Sequence, residues 1–210
     1  PKLRHWVVTR YEDVKTVLRD NQLFSPANVL EKVTPATPEV MRLLQQAGFD
    51  VNRTLVNEEE PDHMRHRRLL MDPFLPARLT RFEPMVRQQV REALDAIAGR
   101  GRADLVAELF HPISLKVALQ FLGVPEDGAR ALCQLKLAHT LNTWGRPTPA
   151  EQAEHAQQLG EFWRLSQGIL DDMMARPDGV GFMYEAIAQH LQHPLEVTAS
   201  YLRSLMMAIL

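Results

Sequence analysis

A single cysteine, Cys133, is the whole thiol content of the 210 residues. That excludes an internal disulfide framework and any CxxC redox or zinc motif, and it suits a reducing compartment. Apolar runs are short. None reaches the roughly 18 to 20 residues that span a bilayer, and the first residues carry no signal-peptide pattern, so the expected location is the cytoplasm. Charge of one sign is also lacking: 24 Lys plus Arg stand against 26 Asp plus Glu, a net charge of -2. A protein built as a whole for nucleic acid or an anionic membrane would carry a basic excess, so any basic patch here is local. Repeats and low-complexity tracts are absent as well, whereas 45% hydrophobic residues suffice for one substantial core or two small ones.

Most of what is present reads as helix. "HWVVTRY", from His5, is the one strand-like stretch near the start, giving way to helical spacing through Val14, Val17 and Leu18. A lone strand needs a neighbour, and both ends of the chain read as cut from something longer. Residues 24–57 form an irregular region rich in Pro and Thr, interrupted by one short helix opened by "TPE" at Thr37 and stopped by Gly48. Such a length of loop points to function. Pro84 opens a helix that ends at Gly99, Pro112 another capped by Gly123, and "TPAE" at Thr148 is a capping box for a long helix to about Arg176. The final segment, "SYLRSLMMAIL", places Leu202, Leu205, Met206 and Ile209 on one stripe.

"EPDHMRHRRLLMDPF", from Glu60, crowds two histidines and three arginines into six residues before apolar ones. On a helical projection with His63 at zero, Arg67 falls at about 40°, Leu70 at about 340°, and Met71 and Met64 at about 80° and 100°. His63 and Arg67 thus lie at the centre of an apolar arc, with Arg65, Arg68 and Asp72 facing solvent. Two readings stay open. Glutamates among Glu58, Glu59 and Glu60 satisfy the pair, or the helix end is exposed; alternatively the guanidinium and the imidazole one turn earlier meet one anionic ligand, such as a carboxylate-bearing cofactor. Zinc fits poorly, since His63 and His66 are only two ligands with no third or fourth at metal spacing.

The same stretch resembles the C-helix of bacterial cytochrome P-450s, whose Pro-x-His-x-x-x-Arg pattern matches Pro61, His63 and Arg67. "HWVVTRYEDVKTVLRDNQLFS" is similar to the strand, B-helix and turn that come earlier in that family, and "ISLKVALQFLGVPEDG" to its E-helix and E–F junction. "RTLVNEEEP", "AHTLNTWGRP" and "SYLRSLMMA" resemble the haem domains of self-sufficient enzymes with a fused flavin and iron–sulfur reductase.

The resemblance implies a mainly α fold, partial over residues 1–210, running from the B-helix through the first half of the I-helix with a minor N-terminal strand. It implies haem b, with His63 and Arg67 on its propionates, and a small organic substrate plus dioxygen as reactants. Electrons would come from NAD(P)H through a reductase carrying FMN and a 2Fe-2S cluster. Val29, Leu30 and Leu55 from the loop, Thr140 and Thr143, and Leu205 and Ala208 from the last helix become candidates for the substrate chamber. For all of these, plain packing is the competing account. Arg65, Arg68 and Arg78 become a surface for a redox partner. The family's haem-ligand cysteine loop has no counterpart here, Cys133 being a helical structural thiol, and no catalytic residue is expected within the segment. Two other classes remain open: a nucleic-acid-binding regulator, whose binding would weaken steeply with salt, and a cofactor-free helical interaction module.

Overall fold

The computed structural model describes residues 6–134 and 145–209. Ten α-helices can be traced among them: α1 (Tyr11–Arg19), α2 (Pro38–Gln46), α3 (Asp62–Leu70), α4 (Pro76–Leu79), α5 (Glu83–Ala98), α6 (His111–Leu122), α7 (Glu126–Gln134), α8 (Pro149–Ala175), α9 (Phe182–Gln192) and α10 (Ala199–Ile209). None is long and apolar enough to cross a membrane. Thr140 and Thr143 lie outside the described residues, as does the side chain of Cys133, whose backbone belongs to α7.

Local signals place several of the helix ends. The Thr37 hydroxyl accepts from the Val40 amide with Pro38 in the first turn of α2, and Gly48, at φ 68°, follows its end. At α8 the Thr148 hydroxyl accepts from the Glu151 amide and the Glu151 carboxylate accepts from the Thr148 amide at 2.7 Å, the reciprocal pair expected from "TPAE". Gly123 closes α6 in the left-handed region at φ 81°. A side chain there would also collide: an added Cβ would sit 2.4 Å from the Val180 carbonyl oxygen, and one on Gly181 would sit 2.4 Å from the Gly123 Cα. The end of α6 and the start of α9 thus cross backbone to backbone.

The expected N-terminal strand is not formed. Residues 6–9 carry no regular structure, Trp6 is 97% exposed, and Tyr11 opens α1 instead. Alternating Val and Trp favour an extended chain but cannot supply ladder partners, and no strand exists among the described residues to pair with.

α8 is the hub, burying Phe162, Leu170 and Met173 among Leu119, Leu122, Phe182, Met183, Ile187, Leu202, Leu205 and Met206 from α6, α9 and α10. Phe74, Phe121 and Phe182 meet at centroid separations of 4.8, 5.2 and 5.7 Å, closing the core below the end of α3. A second, smaller cluster joins Val40 and Leu44 of α2 to Ala156 and Leu159 of α8.

Candidate haem-propionate site on α3

α3 presents its buried side differently from the sequence projection. His66 and Leu70, one turn apart, are buried, His63 and Leu69 are half-buried, and Arg67 is exposed. The inward arc is therefore centred on His66, near 300° of the projection, and Arg67 stands at its edge. Methionine misled the projection: Met64 is 38% exposed, and Met71 is only half-buried. An apolar residue on an amphipathic helix marks the core only when a neighbouring element covers it.

The three successive glutamates are divided among three partners. Glu60 faces His63, its Oε1 3.1 Å from Nδ1, while its Oε2 accepts from the Met64 amide. Glu59 accepts from the Ser25 hydroxyl at 2.6 Å and lies 3.7 Å from Arg53. Glu58 is 7% exposed, with Oε1 2.9 Å from Nδ1 of His66. No glutamate reaches Arg67, and among the described residues no other carboxylate does. Glu60 thus answers His63 as the first of the two open readings requires, whereas the guanidinium is left for something else.

His66 was the residue the sequence reading passed over, weighing it only as a zinc ligand. Its Nε2 lies 2.9 Å from the Glu196 carbonyl oxygen, so Nε2 carries the proton of that hydrogen bond. Glu58 approaches Nδ1 off the line of a good hydrogen bond, which makes the contact chiefly electrostatic. The ring stacks on Tyr201 of α10, centroids 4.1 Å apart and planes inclined by 28°. The Tyr201 hydroxyl in turn lies 3.4 Å from Glu58 Oε2. Burial, and then the Glu58 charge, push the Tyr201 phenol well above the usual tyrosine range, so it stays a neutral donor. The signal lay in the sequence as the i, i+4 pair His66 and Leu70, but nothing there indicated which glutamate would fold back.

The same neighbourhood is stitched to α10 a second time. The Asn52 amide donates to Ser204 Oγ at 2.9 Å and its side-chain nitrogen to Ser200 Oγ at 2.7 Å, while Thr54 and Asn57 close a buried turn ahead of Glu58. No group of three or more potential metal ligands occurs among the described residues.

Val29 and Leu30 are half-buried in the loop, Leu55 packs against the main core, Leu205 lies within it at 2% exposure, and Ala208 is exposed. Leu205 is therefore a core residue of α10 rather than part of an open wall. Of the three arginines expected to make a basic patch, Arg65 contacts Asp62, and Arg78 bridges Asp72 and Glu185 at 2.6 and 2.5 Å. Only Arg68 has no carboxylate partner among the described residues, so the patch is largely neutralised.

No family model matches the chain. Individual proteins do. An intact type IV self-sufficient cytochrome P450 monooxygenase superposes with a TM-score of 0.93 at 50% identity, over 99% of this chain and 27% of that one. The chain belongs to the cytochrome P-450 family. The P450 heme domain of Tepidiphilus thermophilus gives a TM-score of 0.92 at 44% identity, over all of this chain and 50% of that one. Nocardicin C N-oxygenase of Nocardia uniformis subsp. tsuyamanensis is 32% identical over 189 residues, 88% of this P-450 chain and 43% of the relative. The chain thus spans half or less of the length of these relatives. The mainly helical P-450 fold expected from "EPDHMRHRRLLMDPF" is the fold observed, and α3 is the helix that carries it.

Proposed function

We propose that this chain is the part of a haem-thiolate monooxygenase that holds the haem propionates and one side of the substrate chamber. The observation that carries the reading is Arg67, an exposed guanidinium with no carboxylate partner among the described residues, one turn beyond a half-buried His63 on the same helix. A planar, permanently charged fork next to an imidazole donor suits a pair of propionate carboxylates. Haem, when bound with a thiolate ligand, would supply dioxygen activation and insertion of one oxygen atom into an organic substrate. The task of these residues is placement: His63 and Arg67 neutralise and orient the carboxylates, and Glu60 holds the His63 ring in position through Nδ1.

In this reading electrons reach the haem from NAD(P)H through a reductase bearing FMN and a 2Fe-2S cluster, as the resemblance to self-sufficient enzymes implies; the similarity to a self-sufficient monooxygenase supports it. Val29, Leu30 and Leu55 line the substrate side in this reading, and the protein works in the cytoplasm. A spectrum of the complete haem domain of which this chain is proposed to be part, reduced and treated with carbon monoxide, together with its haem content, tests the proposal. A thiolate-type band that weakens with haem loss in Arg67→Ala and His63→Ala supports it; unchanged haem occupancy in both variants refutes the propionate assignment.

A further inference from the structure

We infer that Glu58, His66 and Tyr201 form a positioning device that sets the rotation of α3 against α10 and thereby the direction in which Arg67 and His63 face. The inference rests on the propionate reading of those two residues and adds the means by which they are held.

Three observations converge. All three side chains are buried, at 7%, 6% and 6% exposure. They come from three separate parts of the chain: the segment that leaves the long loop, α3, and α10. Finally, each makes more than one directed contact. His66 donates to the Glu196 carbonyl, faces the Glu58 carboxylate and stacks on Tyr201. Tyr201 approaches Glu58 through its hydroxyl and receives a hydrogen bond from the Leu55 backbone.

An apolar contact between helices tolerates some rotation, because it has no direction. A buried ring hydrogen-bonded at Nε2, stacked on its face and drawn to a carboxylate beside Nδ1 does not. His66 immediately precedes Arg67, so a rotation of α3 that frees His66 must sweep Arg67 by the same angle. Outer partners of this kind fix the orientation of the groups that touch a bound centre, and their loss commonly weakens its binding by about 10-fold to 100-fold.

The test is a double-mutant cycle on the complete haem domain of which this chain is proposed to be part. Haem affinity by titration is its readout, with melting temperature and the propionate bending bands of the resonance Raman spectrum alongside. His66→Leu keeps the bulk and fills a site beside Leu70. It is expected to weaken haem binding about 10-fold and to shift the propionate bands as Arg67→Ala does. In an Arg67→Ala/His63→Ala background, where neither positioned donor remains, the same substitution is expected to change haem affinity by less than about 2-fold, while its effect on melting temperature persists. Tyr201→Phe, a milder change, follows the same pattern with a smaller effect and serves if His66→Leu fails to fold. Equal weakening in both backgrounds, or none in either, overturns the inference and leaves the propionate reading standing. Unaltered haem affinity in both Arg67→Ala and His63→Ala instead removes the propionate reading, and this inference with it.

Discussion

The Glu58 carboxylate lies 2.9 Å from Nδ1 of His66, and both side chains are below 10% exposure. A buried pair of this kind is worth little over a well-packed apolar pair, but removing one member leaves an uncompensated charge or donor. Glu58→Leu or His66→Leu alone should therefore cost about 3–5 kcal/mol, read as a lower midpoint in urea at unchanged slope. The double replacement by Leu should lose less than either single variant. A double variant as unstable as the sum of the singles would show that the two groups do not interact.

Arg67 should show its role through geometry rather than charge alone. Arg67→Lys keeps the charge but loses the planar fork, and should retain haem less well than the parent and better than Arg67→Ala. Weakening of about 10-fold for the alanine variant is the expected scale, measured as transfer of haem to an apo-globin acceptor. Equal retention by lysine and alanine variants would mean that the fork is not what matters.

Gly123 and Gly181 offer a sharp contrast with Gly48. All three have positive φ, but only the first two meet backbone, with an added Cβ 2.4 Å from its nearest neighbour. Gly48 has nothing within 4 Å of an added Cβ. Gly48→Ala should cost about 1 kcal/mol from the left-handed conformation alone. Gly123→Ala or Gly181→Ala adds overpacking of about 1–3 kcal/mol, so thermal melting should separate them clearly from Gly48→Ala.

The capping box predicts a pH dependence of known sign. Hydrogen bonds from the Thr148 amide, and then its hydroxyl, hold the Glu151 carboxyl below its ordinary value of 4.5. A folded-state value below the unfolded one means stability that is fully present above the unfolded value and is lost as pH falls through the folded one. Thr148→Ala should cost about 1 kcal/mol at neutral pH. The gap between parent and variant should narrow as acid protonates Glu151, which thermal melts from pH 7 down to pH 3 would follow. A constant gap across that range would remove the carboxylate from the cap.

Those helix ends that carry a capping residue are legible in the sequence because capping is a short-range matter, whereas α4 and α9 begin without a side-chain cap. Thr37, Thr148 and Glu151 each act on amides three residues away, and Gly123 acts on its own backbone angle. The P-450 likeness was legible for a related reason, since the spacing of His63 and Arg67 is a property of one helix turn. The N-terminal strand was over-read because a strand depends on a second strand that alternation cannot reveal.

What the chain alone determined, then, was many of the helices, though not α4 or α9, some of their ends, and the presence of two donors a turn apart on α3. Tertiary structure decided how that helix is rotated, which of the three glutamates meets which imidazole, and that no carboxylate among the described residues meets Arg67. Local hydrogen bonds are chosen among neighbours within four residues. The rotation of α3 instead depends on Tyr201 and Glu196, more than 100 residues away in sequence, and only packing brings them to His66.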